Sequence, residues 1–247
     1  MARRDAEGSA EHLGRQGWRT WMACVGLLGC VQIHAQEPIR AAWFPDASNV
    51  TRFTWRTEGC EDCVDLHPRP DWQRMADLAG IGKVRFQVSS KGGYGPAWSS
   101  APDVVVLSPE ALGLPRCQLA FLVGHELVHI AQRHFDEDAH ALLVLSGMPP
   151  NWTKTGQRAM ELLEGDFPLA LRMSPLWHQQ EMEADWVGAL LAAQASGCSL
   201  EQGALPFLGA DSGSGGGVVS AHDPGQERVR FLGAFAESAR RLMGSRH

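Results

Sequence analysis

Five residues, His125-Glu126-Leu127-Val128-His129, set the chemical possibilities of this chain. On an α-helix, residues four apart lie on one face, so the two imidazoles point the same way. Two histidines in that relation can grip one divalent metal ion, each through a ring nitrogen. Glu126 lies about 100° around the helix from His125, beside such an ion rather than on it. From there a carboxylate can take a proton from an activated water and pass it to a leaving group.

The H-E-x-x-H pattern is the signature of zinc peptidases, and it gains meaning only from its context. The flanks, Gln118 to Gly124 and Ile130 to His134, are apolar on nearly every face and describe a buried helix. Buried histidines need partners, because an unpaired buried polar group costs about 1–3 kcal/mol. A pair of core histidines satisfied by hydrogen bonds is the alternative to a metal site, and a third ligand decides between them. His134 is five residues past His129, about 500° around, off the ligand face. It reads as structural, or as a support to a ligand.

A third donor is available in the run Glu181-Met-Glu-Ala-Asp185-Trp-Val-Gly188. Glu181 and Asp185 are four apart and share a helical face, whereas Glu183 points about 200° away from Glu181. Glu181 can complete the zinc site, and Asp185 can accept the spare ring N–H of a ligand histidine and fix its tautomer. His178 is the rival ligand. Glu181 is preferred because a buried carboxylate offsets part of the metal charge. Gly188, on the same face, lets two helices approach closely. Ser174 as cap and Pro175 at the first helical position would open this helix, and Gly197 would stop it.

Other elements must position these groups. Asp71 to Leu78 reads as a short helix ended by Gly80 and Gly82. Val84–Val88 alternates with period two, and Val104–Leu107 is a β-branched run; both read as strands. Between them, Lys91 to Pro102 is loop, with a short edge strand at Ala97-Trp98. The Ala97–Leu107 segment is the candidate to pair with an extended peptide beside the metal. Ser108-Pro109 caps a short helix. The metal-bearing helix runs from near Pro115 to about His134, and Asp136 to Gly147 continues as helix. Residues 149–156 read as loop, Thr155 to Leu163 as amphipathic, and Gly165 to Met173 as a less regular stretch lining the groove.

Gly209 to Gly217 holds five glycines in nine residues and marks a hinge, a lid or a linker. Next come His222, then Asp223 as cap and Pro224 opening a last helix to about Met243. His222 can hydrogen-bond the oxyanion of a tetrahedral intermediate, or close the site as a fourth ligand. Arg228, one turn in, can orient His222 or bind a carboxylate. For His222 taken alone, a plain surface histidine is the default.

The 247 residues allow one substantial domain. The net charge of −6 gives nucleic-acid binding no electrostatic support. Residues 1–35 read as an export signal: four arginines (Arg3, Arg4, Arg15, Arg19), an apolar segment from about Trp21 to Val31, then a small residue, Ala35. Leu27-Leu28-Gly29-Cys30 competes as a lipobox that would anchor the chain by a lipid on Cys30. Either reading sends the protein to the bacterial periplasm, free or membrane-tethered, and no later run is long enough to span a bilayer. Of six cysteines, Cys24 and Cys30 lie in the signal. Cys60, Cys63, Cys117 and Cys198 remain for an oxidising compartment, and Cys60–Cys63 with Cys117–Cys198 is the expected pairing. Residues 36–68 lack periodicity and read as an irregular extension, leaving 69–247 for the catalytic domain.

Three motifs occur in order: H-E-L-V-H-x-x-x-x-H, E-x-E-A-D-x-x-G, and S-x-H followed six residues later by Arg. Together they resemble the metallopeptidase family of the CAAX prenyl endopeptidases and HtpX-type heat-shock proteases, nearest its soluble, exported BepA-like branch. The resemblance covers roughly residues 70–243. It implies one Zn²⁺ per chain on His125, His129 and Glu181, Glu126 as general base, Asp185 in support, and His222 and Arg228 within the site. The family has His-Pro at the late motif, whereas here Asp223 intervenes. The expected fold is α+β, mostly α, a single gluzincin-type domain with a small sheet beside the active-site helix. The expected activity is endopeptidase hydrolysis of misfolded or unassembled envelope polypeptides. The competing reading is a non-catalytic chaperone or assembly factor stabilised by zinc, with the intact Glu126 speaking for catalysis.

Overall fold

The computed structural model describes residues 50–56, 62–90, 95–100, 102–210 and 225–244, with 22–23 and 31–32. The chain divides into two units, 1–35 and 36–247. In the first, β1 (Met22–Ala23) and β2 (Val31–Gln32) pair antiparallel. The expected export signal otherwise lies outside the described residues.

The second unit contains a four-stranded sheet: β3 (Cys63–Leu66), β4 (Arg85–Ser89), β5 (Ala97–Ser100) and β6 (Val104–Leu107). The spatial order is β3-β4-β6-β5, parallel only between β4 and β6. Val104–Leu107 is buried along its whole length. That is why this strand reads as a continuous apolar run rather than an alternating one. Ala97 pairs with Leu107 and Ser100 with Val104, which places β5 at the edge of the sheet.

The helices are α1 (Pro70–Leu78), α2 (Pro109–Leu112), α3 (Arg116–Gln132), α4 (His134–Leu145), α5 (Gly156–Met160), α6 (Phe167–Ser196), α7 (Ala204–Ala210) and α8 (Gly225–Gly244). A 3₁₀ turn, Glu161–Leu163, follows α5. Ser108 caps α2 through its hydroxyl, which accepts from the Ala111 N–H. The main core joins Trp72 and Met75 of α1, Phe86, Val105 and Leu107 of the sheet, Val123 and Leu127 of α3, and Ala184 and Leu191 of α6. Helix α3 is buried at every position from Leu119 to Val128, which accounts for its apolar character on all faces. The result is mostly helical, with a small sheet whose edge strand β5 packs against α3. Among the described residues no helix is long and apolar enough to cross a membrane.

Three expectations are corrected. The helix bearing Glu181 starts at Phe167, with the Asp166 carboxylate accepting from the Leu169 N–H, and not at Ser174-Pro175. Gly165 to Met173 is therefore largely helix rather than an irregular groove wall. Pro175 lies inside α6 on its exposed side, where water can serve the carbonyl that proline leaves without a donor. Second, 36–68 is not wholly irregular. Residues 63–66 form a sheet strand, and residues 50–56 lie along α4 and α5. There the Phe53 N–H and the Trp55 indole N–H both donate to Asp136 Oδ1. Third, α3 and α4 are separate helices, divided at Arg133, whose φ of 61° is left-handed.

Cys117 and Cys198 form the expected disulfide. Cys63 is also disulfide-bonded, and Cys60 lies outside the described residues. The Cys117–Cys198 bridge ties the first turn of α3 to the end of α6 across 81 residues. Closing a loop of that size restricts the unfolded chain by about 4 kcal/mol. The double variant Cys117→Ala/Cys198→Ala is expected to lose stability of that order. Urea unfolding of the oxidised wild type against the variant measures it.

Candidate active site

Two helices supply the chemistry. Helix α3 presents His125 and His129 one turn apart, and α6 lies against it with Glu181 and Asp185 one turn apart. The helices approach backbone to backbone at Gly124 and Gly188. A Cβ on Gly188 would sit 2.6 Å from the His125 nitrogen, and one on Gly124 would sit 2.6 Å from the Gly188 carbonyl oxygen. This contact brings Glu181 onto the histidine face. His125 Nε2 is 3.2 Å from Glu181 Oε2, and His129 Nε2 is 3.3 Å from Glu181 Oε1. The two Nε2 atoms are 3.2 Å apart. One donor atom from each of the three residues lies within 4.8 Å of the others.

The far side of His125 is held. Its Nδ1 is 3.0 Å from Asp185 Oδ1. Asp185 is fully buried and is gripped in turn by Arg228, whose Nε donates to Oδ2 at 2.7 Å and whose terminal nitrogen donates to Oδ1 at 2.5 Å. The same terminal nitrogen lies 3.7 Å from Glu181 Oε2. The buried guanidinium thus acts on the two carboxylates through its planar fork.

These charges shape the titrations. Burial alone would push the His125 imidazolium down. Glu181 and Asp185 outweigh it and raise the group to about 10. Burial would likewise raise Glu181, but His125 and His129 hold it well below the ordinary carboxylate range. Arg228, then His125, lowers the Asp185 carboxyl against its own burial. Two carboxylates and one guanidinium thus surround the two histidine rings. Two nitrogen donors and one carboxylate oxygen at mutual contact match the three-ligand set of a catalytic zinc, which keeps a fourth position for water.

The structure therefore brings together His125, His129 and Glu181, with Asp185 on His125. Glu126 is buried on α3 beside His125. Arg228 grips Asp185 and also lies beside the Glu181 carboxylate. His222, Asp223 and the glycine-rich stretch from 211 onward lie outside the described residues. The rival His178 is not in the cluster; its Nε2 faces the Ser174 hydroxyl at 3.5 Å. The sequence named Arg228 and His134 as supporting residues but not the partner that each meets. The Arg228–Asp185 fork joins residues 43 apart, and the left-handed Arg133 turns His134 back onto His129.

Residues 73–235 match the family model described as Peptidase family M48. No curated protein and no solved structure matches the chain. The matched span runs from α1 into α8, and so takes in both helices of the metal cluster and the arginine behind it. The chain belongs to peptidase family M48, a family of zinc metallopeptidases.

Proposed function

We propose that this chain is an exported zinc endopeptidase that cleaves misfolded or unassembled polypeptides of the bacterial envelope. The convergence of His125, His129 and Glu181 from two helices carries the reading. Zinc bound there supplies a Lewis acid for the scissile carbonyl and lowers the pKa of its water to about 7. Glu126 is the general base. It takes the proton of the attacking water and delivers it to the departing amine. Asp185 fixes the His125 ring with its Nδ1 side occupied, which leaves Nε2 for the metal. Arg228 keeps Asp185 ionised and oriented.

Among the described residues, strand β5 pairs with β6 at the end of the sheet order and packs against α3. Its outer edge offers main-chain donors and acceptors to an extended peptide, a mode that accepts many sequences because the backbone is common to all. That tolerance suits substrates selected for being unfolded. The export leader and the Cys117–Cys198 bridge support an oxidising compartment.

The test is casein hydrolysis by the purified chain with metal content measured in parallel. One zinc per chain, turnover abolished by a chelator, and recovery on adding zinc back are expected. Zinc-loaded protein that leaves casein intact while suppressing aggregation of an unfolded client would instead favour the non-catalytic chaperone.

A further inference from the structure

On a single continuous helix, His134 would lie about 140° away from His129. Arg133 prevents this. Its left-handed backbone ends α3, its N–H bonds the Ile130 carbonyl, and α4 restarts at His134. For a non-glycine residue that conformation costs about 1–2 kcal/mol. Asp136 steadies it by pairing with the Arg133 guanidinium.

The restart places His134 edge-on to His129, with ring centroids 4.8 Å apart and planes at 84°. His134 Nδ1 lies 2.9 Å from His129 Nδ1. The other ring nitrogen, Nε2, faces the Glu183 carboxylate at 3.6 Å, within reach of its charge but beyond a hydrogen bond. Helix α6 fixes the position from a further side, where the Gln180 side chain donates to the His134 carbonyl at 3.4 Å and to Glu137 Oε2 at 3.2 Å.

The protons on this chain of nitrogens can run only one way if His129 is a ligand. Its Nε2 must offer a lone pair, so its Nδ1 carries the proton and donates. His134 Nδ1 must then accept, which puts the His134 proton on Nε2, facing an acceptor-only carboxylate. Glu183 favours a proton on that nitrogen. We infer that His134 is a positioning residue for the zinc site: its Nδ1 accepts from His129 and holds that ligand in the metal-binding tautomer, with Glu183 setting the direction. The two ligand histidines are thus oriented by different devices. Asp185 with Arg228 serves His125, and His134 with Glu183 serves His129. The inference rests on the reading of His129 as a ligand.

The experiment compares the full chain with H134F, H134N, E183A and H129A. Zinc affinity is measured by competition with a chromophoric chelator, the visible spectrum after cobalt substitution, and apo-protein stability by melting. Phenylalanine fills the ring's space without an acceptor, whereas asparagine places an oxygen near the Nδ1 position. H134F is expected to weaken zinc binding by about 10–100-fold, the size typical of losing a ligand's orienting partner. It should also shift the cobalt bands. H134N should restore both, and E183A should lose affinity severalfold. If H134F matches wild type in affinity and spectrum while H129A does not, the inference is wrong and the zinc site stands. If H134N is as impaired as H134F at equal apo stability, His134 merely fills space and the inference also falls. An unchanged E183A removes the directional relay as stated. Full zinc affinity in H129A overturns the ligand reading itself, and this inference with it.

Discussion

Glu126→Gln is expected to bind zinc as tightly as wild type and to hydrolyse casein about 10²–10⁴-fold more slowly, the contribution typical of a positioned general base. Glutamine keeps the volume and an acceptor oxygen at this buried position but takes no proton. None of the three proposed ligands is altered, and the fold is expected to be unaffected. The loss should appear in kcat with little change in KM, because Glu126 moves the reacting proton and does not hold the peptide. Steady-state kinetics with zinc content measured on the same samples separates chemistry from metal loss. Undiminished turnover by zinc-loaded Glu126→Gln would rule out the proposed base.

A single methyl group gives the second large effect. In Gly188→Ala the new Cβ would meet the His125 nitrogen at 2.6 Å, its Cα at 2.8 Å and the Gly124 carbonyl carbon at 2.9 Å. All three are backbone atoms and cannot swing aside. Ordinary carbon contacts need about 3.5–4.0 Å, so α3 and α6 must separate by about 1 Å. Overpacking of this kind costs about 1–3 kcal/mol. The separation also moves Glu181 away from the histidines and Asp185 away from His125. A displacement of that size can cost about 10²-fold in rate, and zinc affinity should fall with it. Gly233→Ala is the control, since a Cβ there meets nothing within 4 Å on a helix. Alanine should leave the site intact and, in a helix interior, raise stability by about 0.5–1 kcal/mol. Melting, zinc affinity and casein turnover of the pair give the comparison. Equal behaviour of the two variants would show that the helix contact does not set the site.

The disulfide variant probes the α3–α6 pair at the start of α3, and the His134 variants probe it through His129. The Cys117–Cys198 bridge acts largely through the unfolded chain and is expected to change stability more than chemistry.

What the sequence by itself determined is local. The four-residue spacing of His125 with His129, and of Glu181 with Asp185, places each pair on one face wherever those helices pack. The uninterrupted Val104–Leu107 run marked the central strand because both of its faces are buried. Gly188 on the Glu181 face announced a close helix approach. Signals that mimic a boundary misled in their turn: Ser174-Pro175 has the form of a helix start, yet a long helix tolerates a proline on its wet side. Only the tertiary structure decided what crosses between elements. Arg228 reaches Asp185 because α8 is packed there, and no periodicity within 225–244 names that partner. His134 comes to His129 because Arg133 takes a left-handed conformation that asparagine or glycine would signal and arginine does not. The helical repeat is written into neighbouring residues and can be read from them. Contacts between elements depend on how buried surfaces fit, and that fit exists only once the chain has folded.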